Sequence, residues 1–227
     1  MQLPFFEDRV DAGRQLARAL ERYRGPDTLV LGVPRGGVVV AAEVARALGA
    51  DLDVVIARKI GAPQHPELAI GAVVSGEGER LVDEEAVRYL HVSREYLDAE
   101  TARQREEIRR RIQEYRGNRP LPNLEGRTVI LVDDGIATGY TIRAALVALR
   151  RLHPATLVVA APVAPREVCA RLQTLADEVV CLYTPEPFMA VGAWYRDFSQ
   201  VETGEVAALL REFEAERGTA AGGTRSA

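Results

Sequence analysis

The sequence predicts an α/β protein with a three-layer α/β/α arrangement around a mainly parallel sheet. Short apolar segments rich in β-branched residues alternate along the chain with helical patterns, as in parallel α/β proteins. The segments at 28–33 and 129–132 are apolar and fit strands that are buried on both faces of such a sheet. With 227 residues and 47% hydrophobic content, the chain can bury one core of this kind.

The first half of the chain supplies the beginning of this alternation. Residues 8–24 fit an amphipathic helix, because apolar side chains recur near helical spacing and Gly25-Pro26 ends the pattern. After it we expect a strand at 28–33, a helix at 38–48, a strand at 54–57, a loop at 62–67, a strand at 69–74 and a hairpin turn at 75–79.

The second half repeats the alternation after a long charged helix at 93–116. We expect a connector at 117–123, a strand at 129–132, a helix to about 152, a strand at 157–161, a helix from 165 to about 176 and a strand at 178–182. The predicted organisation is one domain at 1–213, with a helical insertion at about 84–118, and a disordered tail at 214–227.

Composition excludes several classes of protein. The net charge of −4 gives no reason to expect nucleic acid as a partner. No apolar run approaches membrane-spanning length, and the N-terminus lacks the pattern of a signal peptide. The two cysteines, Cys169 and Cys181, lack metal or redox spacing. These features predict a cytoplasmic protein with no membrane partner.

The most informative stretch is 129–141, with the sequence VILVDDGIATGYT. A buried strand ends on Asp133 and Asp134, and a loop of small and hydroxyl residues then leads directly into a helix. Backbone N–H groups at a helix N-terminus suit a phosphate. The carboxylates would face sugar hydroxyls or a divalent cation on the same ligand. A sugar phosphate is therefore the expected ligand.

Two further loops should open on the same edge of the sheet. Arg35 with Gly36 and Gly37 follows the first strand, and Arg58 with Lys59 follows the predicted strand at 54–57. Because ligands bind beyond the carboxyl ends of parallel strands, these basic loops should meet the acidic one. Together they predict a site for a polyanion.

At this point the sequence resembles the type I phosphoribosyltransferase family. Residues 132–141 look like its loop for phosphoribosyl pyrophosphate (PRPP), and 32–37 resemble its pyrophosphate loop, which often carries a cis peptide, here Pro34–Arg35. Residues 55–61 are similar to the basic segment of purine-type members. No P-loop or dinucleotide motif competes with this interpretation. The resemblance spans 28 to about 198.

The resemblance implies transfer of 5-phosphoribosyl from PRPP to a nitrogenous, nucleobase-like acceptor, with release of pyrophosphate and with Mg²⁺ as cofactor. Asp133 and Asp134 would hold the ribose hydroxyls and, through water and PRPP, the metal. Arg35 and Lys59 would stabilise the departing pyrophosphate. The remaining residues expected to bind substrate are Pro34, Gly36, Gly37, Arg58, Gly135, Ala137, Thr138, Gly139, Tyr140 and Thr141.

An aromatic segment at about 184–200 resembles the family's hood, which covers the acceptor. Phe188 or Trp194 is the candidate for stacking on a planar base, although core packing explains either residue equally well. The strand at 157–161 has no Lys at its end, unlike members that use 6-oxopurines, which weakens a hypoxanthine or guanine assignment.

Three questions stay open at the level of sequence. A regulatory protein that binds PRPP or nucleotides without turnover is the alternative to an enzyme, because the acidic pair and the Thr loop bind ligand in both. The arginines of the 93–116 helix fit an exposed helix with ion pairs better than a nucleic-acid surface, and a homodimer contact is a third use for them. The loop that closes the site is either 62–67 or a longer region from 76 into the 93–116 helix.

Overall fold

A computed structural model describes residues 5–75, 80–117 and 119–222. Its centre is a five-stranded sheet in the order β2-β1-β6-β7-β8, in which each pair of neighbours is parallel. The strands are β1 (Thr28–Gly32), β2 (Asp51–Val54), β6 (Thr128–Val132), β7 (Thr156–Val163) and β8 (Glu178–Tyr183). The predicted mainly parallel sheet is confirmed.

Alternate residues of the central strands enter two different apolar cores, because successive side chains of a strand point to opposite faces. The helices are α1 (Arg9–Ala19), α2 (Gly36–Leu48), α3 (Glu84–Tyr89), α4 (Arg94–Arg116), α5 (Tyr140–Arg150), α6 (Arg166–Leu172) and α7 (Thr203–Gly222). Val30 and Ile130 pack on one face, with α1, α2 and α7, while Leu29 and Leu131 pack on the other, with α5 and α6. The three-layer prediction is confirmed.

A second, antiparallel sheet changes the interpretation of residues 54–74. It contains β3 (Ala57–Ala62), β4 (His65–Val74) and β5 (Leu81–Val82). Arg58 and Lys59 therefore lie within a strand and not in a loop after one. The prediction of a strand at 54–57 was wrong, because 54–57 is uniformly apolar and contains no turn residue to mark the break at 55–56. The expected loop at 62–67 is a turn at 63–64 between β3 and β4.

The predicted helical insertion contains two helices: α3, which was not predicted, and α4, which agrees with the predicted helix at 93–116. The Ser93 hydroxyl caps α4 by accepting a hydrogen bond from Tyr96 N, and the helix ends at Arg116 with Gly117 as its C-cap. A buried ion pair fastens its last turn to the central sheet, with Arg116 Nη1 3.1 Å from Asp53 Oδ1. Of the predicted turn at 75–79, Ser75 belongs to the described residues and 76–79 lie outside them.

The end of the chain differs from the expected tail. Helix α7 runs to Gly222, so residues 214–222 are helical, and 223–227 lie outside the described part. Apolar residues of α7 such as Leu210 and Phe213 pack into the core beside α2, and they anchor the part of the helix that precedes residue 214. Within the described ranges, no helix is both long enough and apolar enough to cross a membrane.

Candidate active site

Strands β1 and β6 are neighbours, so the loops that follow them leave the sheet side by side. Their pairing continues one residue past β1, where Val33 N donates to Val132 O at 2.9 Å. The next residues are the Pro34–Arg35 peptide, which is cis as predicted, and the acidic pair. The sheet therefore brings the predicted pyrophosphate loop and the predicted PRPP loop into contact.

The two glycines after Arg35 are required by the acidic pair. A Cβ on Gly36 would overlap Oδ2 of Asp134, and a Cβ on Gly37 would lie 2.9 Å from both Cα and Oδ1 of Asp133. Real Cβ atoms essentially never approach other heavy atoms this closely. Because the first two residues of α2 have no side chain, the carboxylates can pack directly against the N-terminus of this helix.

Burial dominates the electrostatics of the acidic pair. Burial and then the charge of Asp134 raise the pKa of Asp133 well above its ordinary value. Burial also raises the pKa of Asp134, although the Arg9 guanidinium acts in the opposite direction. The Asp134 backbone N–H donates to Asp133 Oδ1 at 2.9 Å. Ionisation of both carboxyl groups is therefore costly, and a bound cation would lower that cost.

Arg9, the first residue of α1, makes the ion pair with Asp134. Its Nε lies 2.7 Å from Asp134 Oδ2, and the two side chains are only 11% and 15% exposed. The same guanidinium donates through Nη1 to Ser199 O at 2.7 Å and lies 3.9 Å from the centroid of the Phe198 ring. Nothing near Arg9 in the sequence marks it as part of the site, so its position there was not predicted.

A cavity of about 420 Å³ opens at this edge of the sheet. It combines the acidic pair with four arginines from four different elements or loops. Its lining residues are Arg9, Val33, Pro34, Arg35, Gly36, Ile56, Ala57, Arg58, Arg111, Asp133, Asp134, Thr141 and Phe198. The juxtaposition of two carboxylates and several guanidinium groups fits a ligand that has both hydroxyl groups and phosphates.

The loop from 135 to 141 leads from the acidic pair to the N-terminus of α5. Gly139 has φ 78°, and a Cβ there would lie 2.8 Å from Val168 Cγ1. Gly135 is packed against Val191 of the hood segment. The other predicted ligand-binding residues of the loop, Ala137, Thr138, Tyr140 and Thr141, are exposed. The loop therefore presents its hydroxyl groups and the helix N-terminus to solvent.

The two basic residues of β3 differ in position. Arg58 lines the cavity of the acidic pair, and its Nε donates to Gln104 Oε1 of α4 at 3.0 Å. Burial and then the nearby charge of Arg111 lower the pKa of Arg58. Lys59 is not among the residues that line this cavity. It lines a neighbouring cleft of about 1760 Å³ between the small sheet, α4 and α5, and this cleft shares Ala57, Arg58 and Thr141 with the cavity. Among the described residues, Arg58 and Arg111 are thus the basic groups that the β3–α4 side contributes to the acidic pair's cavity.

The hood segment uses its Trp as a core residue. Trp194 is 7% exposed, and its ring stacks on Phe5 at 5.1 Å between centroids. Phe188 is partly buried against the same cluster. Trp194 is therefore a core residue, which is one of the two roles that the sequence left open for it. Phe198 is the aromatic residue that lines the cavity, and the guanidinium of Arg9 lies over its ring.

The arginines of α4 are mostly paired along the helix. Arg103 Nη2 lies 2.7 Å from Glu100 Oε1, and Arg111 Nε lies 2.7 Å from Glu107 Oε1. These pairs confirm the interpretation of an exposed helix with ion pairs at helical spacing. Arg111 has a second role that the sequence did not indicate, since it also lines the cavity of the acidic pair.

Fold and site together define a class: α/β proteins that bind a phosphorylated ligand beyond the carboxyl ends of a parallel sheet, with an acidic pair and a loop at a helix N-terminus. The chain belongs to the phosphoribosyl transferase family, since the family model described as "Phosphoribosyl transferase domain" matches residues 7–183.

Two similar proteins come from Mycobacterium tuberculosis, strains CDC 1551 and H37Rv, and both carry the name "putative phosphoribosyl transferase". Each is 46% identical over 208 residues, which are 92% of this chain and 47% of the relative. The chain thus spans about half the length of these curated relatives.

A similar solved structure is the crystal structure of TT1426 from Thermus thermophilus. It has a TM-score of 0.82 and 49% identity, and the match covers 92% of this chain and 98% of that chain. This likeness extends beyond the family model, because it includes most of the chain.

Proposed function

We propose that the protein transfers the 5-phosphoribosyl group from PRPP to a nitrogenous, nucleobase-like acceptor and releases pyrophosphate. The observation that carries this proposal is the cavity in which the acidic pair faces several arginines next to a loop at a helix N-terminus. Family membership supports the transferase class, and the acceptor is part of the proposal.

The loop at 135–141 is the proposed anchor for the 5-phosphate. The N-terminus of α5 follows Gly139 directly, and helix N-termini carry free N–H groups and a partial positive charge. Thr138 and Thr141 are exposed and supply hydroxyl donors. Anchoring the phosphate fixes the ribose, which reduces the entropy lost when the acceptor attacks.

The acidic pair is the proposed partner of the ribose hydroxyls and of Mg²⁺. Two interacting, partly buried carboxyl groups with raised pKa values suit a divalent cation, which lowers the cost of their ionisation. Within the described part of the chain, no group of three or more possible ligands could enclose a metal. Water and ligand oxygens would therefore complete the coordination, and the cation would supply charge neutralisation of the pyrophosphate.

The arginines that line the cavity are the proposed partners of the leaving group. Arg35, Arg58 and Arg111 approach the acidic pair's cavity from three elements, so they can surround a pyrophosphate. In the transfer step the bond from ribose C1 to the pyrophosphate oxygen breaks and a C1–N bond forms to the acceptor, whose nitrogen then loses a proton. Stabilisation of the departing charge is the main contribution of these residues. Lys59 keeps a role only if it reaches the pyrophosphate from the larger cleft.

The test is Mg²⁺-dependent pyrophosphate release from PRPP with a panel of nucleobases, using the double variant Asp133→Asn/Asp134→Asn as the blank. The expected result is release that depends on one acceptor and disappears in the double variant. PRPP binding without turnover for any acceptor would instead favour the regulatory alternative. Absence of PRPP binding would contradict both.

A further inference from the structure

We propose that Arg9 is a positioning residue for the acidic pair: it fixes the Asp134 carboxylate, balances its charge and connects it to the hood segment at 184–200. The inference rests on the proposed function, because it concerns how the PRPP site is kept ready for its ligand. It assigns a site role to α1, which contributes no motif to the predicted site.

The guanidinium of Arg9 is held on three sides. Nε bonds to Asp134 Oδ2 and Nη1 to Ser199 O, both at 2.7 Å, while the Phe198 ring lies beneath it at 3.9 Å. A planar guanidinium is suited to this combination of charge, directed hydrogen bonds and stacking. With 11% of the side chain exposed, the group has little freedom to leave these contacts.

The hood is attached to the acidic pair by a second contact near Arg9. The Tyr195 hydroxyl donates to the main-chain oxygen of Asp134, and burial raises the pKa of this tyrosine. The side chain of Asp134 is therefore tied to the hood through Arg9, and its backbone is tied through Tyr195. A displacement of the hood would be transmitted to the carboxylate through both contacts.

Among the described residues, Arg9 is the group that forms an ion pair with Asp134. The other charged or titratable groups near that carboxylate or in its cavity are Asp133, Tyr195, Arg35, Arg58 and Arg111. Asp133 adds repulsion, and the three arginines line the cavity without forming an ion pair with Asp134 in the described part of the chain. Removal of Arg9 therefore leaves the acidic pair without its direct counter-charge until a ligand and a cation bind.

The experiment measures PRPP affinity by calorimetry in the presence of Mg²⁺ at one fixed pH, and the thermal midpoint of each protein without ligand. The variants are Arg9→Gln, which removes the charge, and Arg9→Lys, which keeps it. The matched control is Arg14→Gln on the same helix, because Arg14 pairs with Glu43 at 3.1 Å while its side chain is 67% exposed.

Arg9→Gln should weaken PRPP binding roughly tenfold to a hundredfold. The loss should exceed what any change in thermal midpoint explains, because Asp134 loses the group that fixes its carboxylate. Arg9→Lys should recover part of the affinity, because its ammonium group restores the counter-charge without the stacking on Phe198. Arg14→Gln should change neither quantity.

A merely structural role would lower the thermal midpoint of Arg9→Gln without weakening PRPP binding by the folded protein, and that result would overturn the proposal while leaving the proposed function intact. If Arg9→Gln does not fold, Arg9→Lys decides: wild-type PRPP affinity in this variant, which cannot make the same three contacts, overturns it. Failure of the wild-type protein to bind PRPP at any pH would overturn the proposed function, and the role of Arg9 with it.

Discussion

Gly36→Ala tests the contact between the pyrophosphate loop and the acidic pair. The added methyl group would overlap Asp134 Oδ2 and lie 2.5 Å from Arg9 Nε, whereas ordinary contacts begin at 3.4 Å. The Asp134 carboxylate must therefore move, and its ion pair with Arg9 must lengthen or break. The overlapping atoms belong to a side chain that is held by hydrogen bonds, so relaxation is costly.

The expected loss of stability is that of overpacking, about 1–3 kcal/mol. For a chain of this size, each kcal/mol lowers the thermal midpoint by about 2–4 °C. The effect on activity should be larger, because a displacement of about 1 Å at a positioning group can reduce the rate roughly a hundredfold. The loss in kcat/KM should exceed what the change in stability explains.

The assays are thermal unfolding and pyrophosphate release, with Gly204→Ala as the control. Gly204 lies near the start of α7 and has open space around its Cβ position, so alanine there should be neutral or slightly stabilising. A Gly36→Ala protein with wild-type stability and wild-type kcat/KM would refute the argument that glycine is required for this contact.

Two further predictions concern buried charge. Arg116→Ala leaves Asp53 buried without its partner and should cost roughly 3–5 kcal/mol, or about 6–20 °C in thermal midpoint. The control is Arg103→Ala, in a pair whose arginine is 72% exposed, and it should change stability by less than about 1 kcal/mol. Equal effects of the two variants in thermal unfolding would contradict the importance of burial. Asp133→Asn should stabilise the protein without ligand and Mg²⁺ at neutral pH, because the pKa of Asp133 is raised and its ionisation costs stability as the pH rises through that value. This gain should shrink as the pH falls toward about 4, the ordinary carboxyl pKa, and a gain independent of pH would contradict the assigned cause.

The parts of the fold that follow from local pattern were predictable. Strands β1 and β6 are continuous apolar runs, and each is followed by small residues and a helix, so the sheet edge and its two loops could be placed before the structure. The cis peptide at Pro34–Arg35 followed from the family resemblance and is present. These features depend on residues that lie close together in sequence.

The parts that depend on long-range packing were not predictable in the same way. Arg9 and Asp134 are 125 positions apart, and no spacing rule connects them. The role of Trp194 depends on Phe5 as its stacking partner, and a sequence pattern cannot distinguish such a partner from a bound ring. The strand break at 55–56 lies within an apolar segment, so the small antiparallel sheet had no turn residue to mark its beginning.

The most direct test of the central claim is calorimetric titration of the wild-type protein with PRPP, with and without Mg²⁺, beside the Asp133→Asn/Asp134→Asn variant. The account predicts binding that Mg²⁺ strengthens in the wild type and a loss of that Mg²⁺ dependence in the variant, while thermal unfolding shows the variant to be folded. Absence of PRPP binding to the wild type, or equal Mg²⁺ dependence in both proteins, would contradict the claim that the acidic pair forms the ribose and cation side of a phosphoribosyltransferase site.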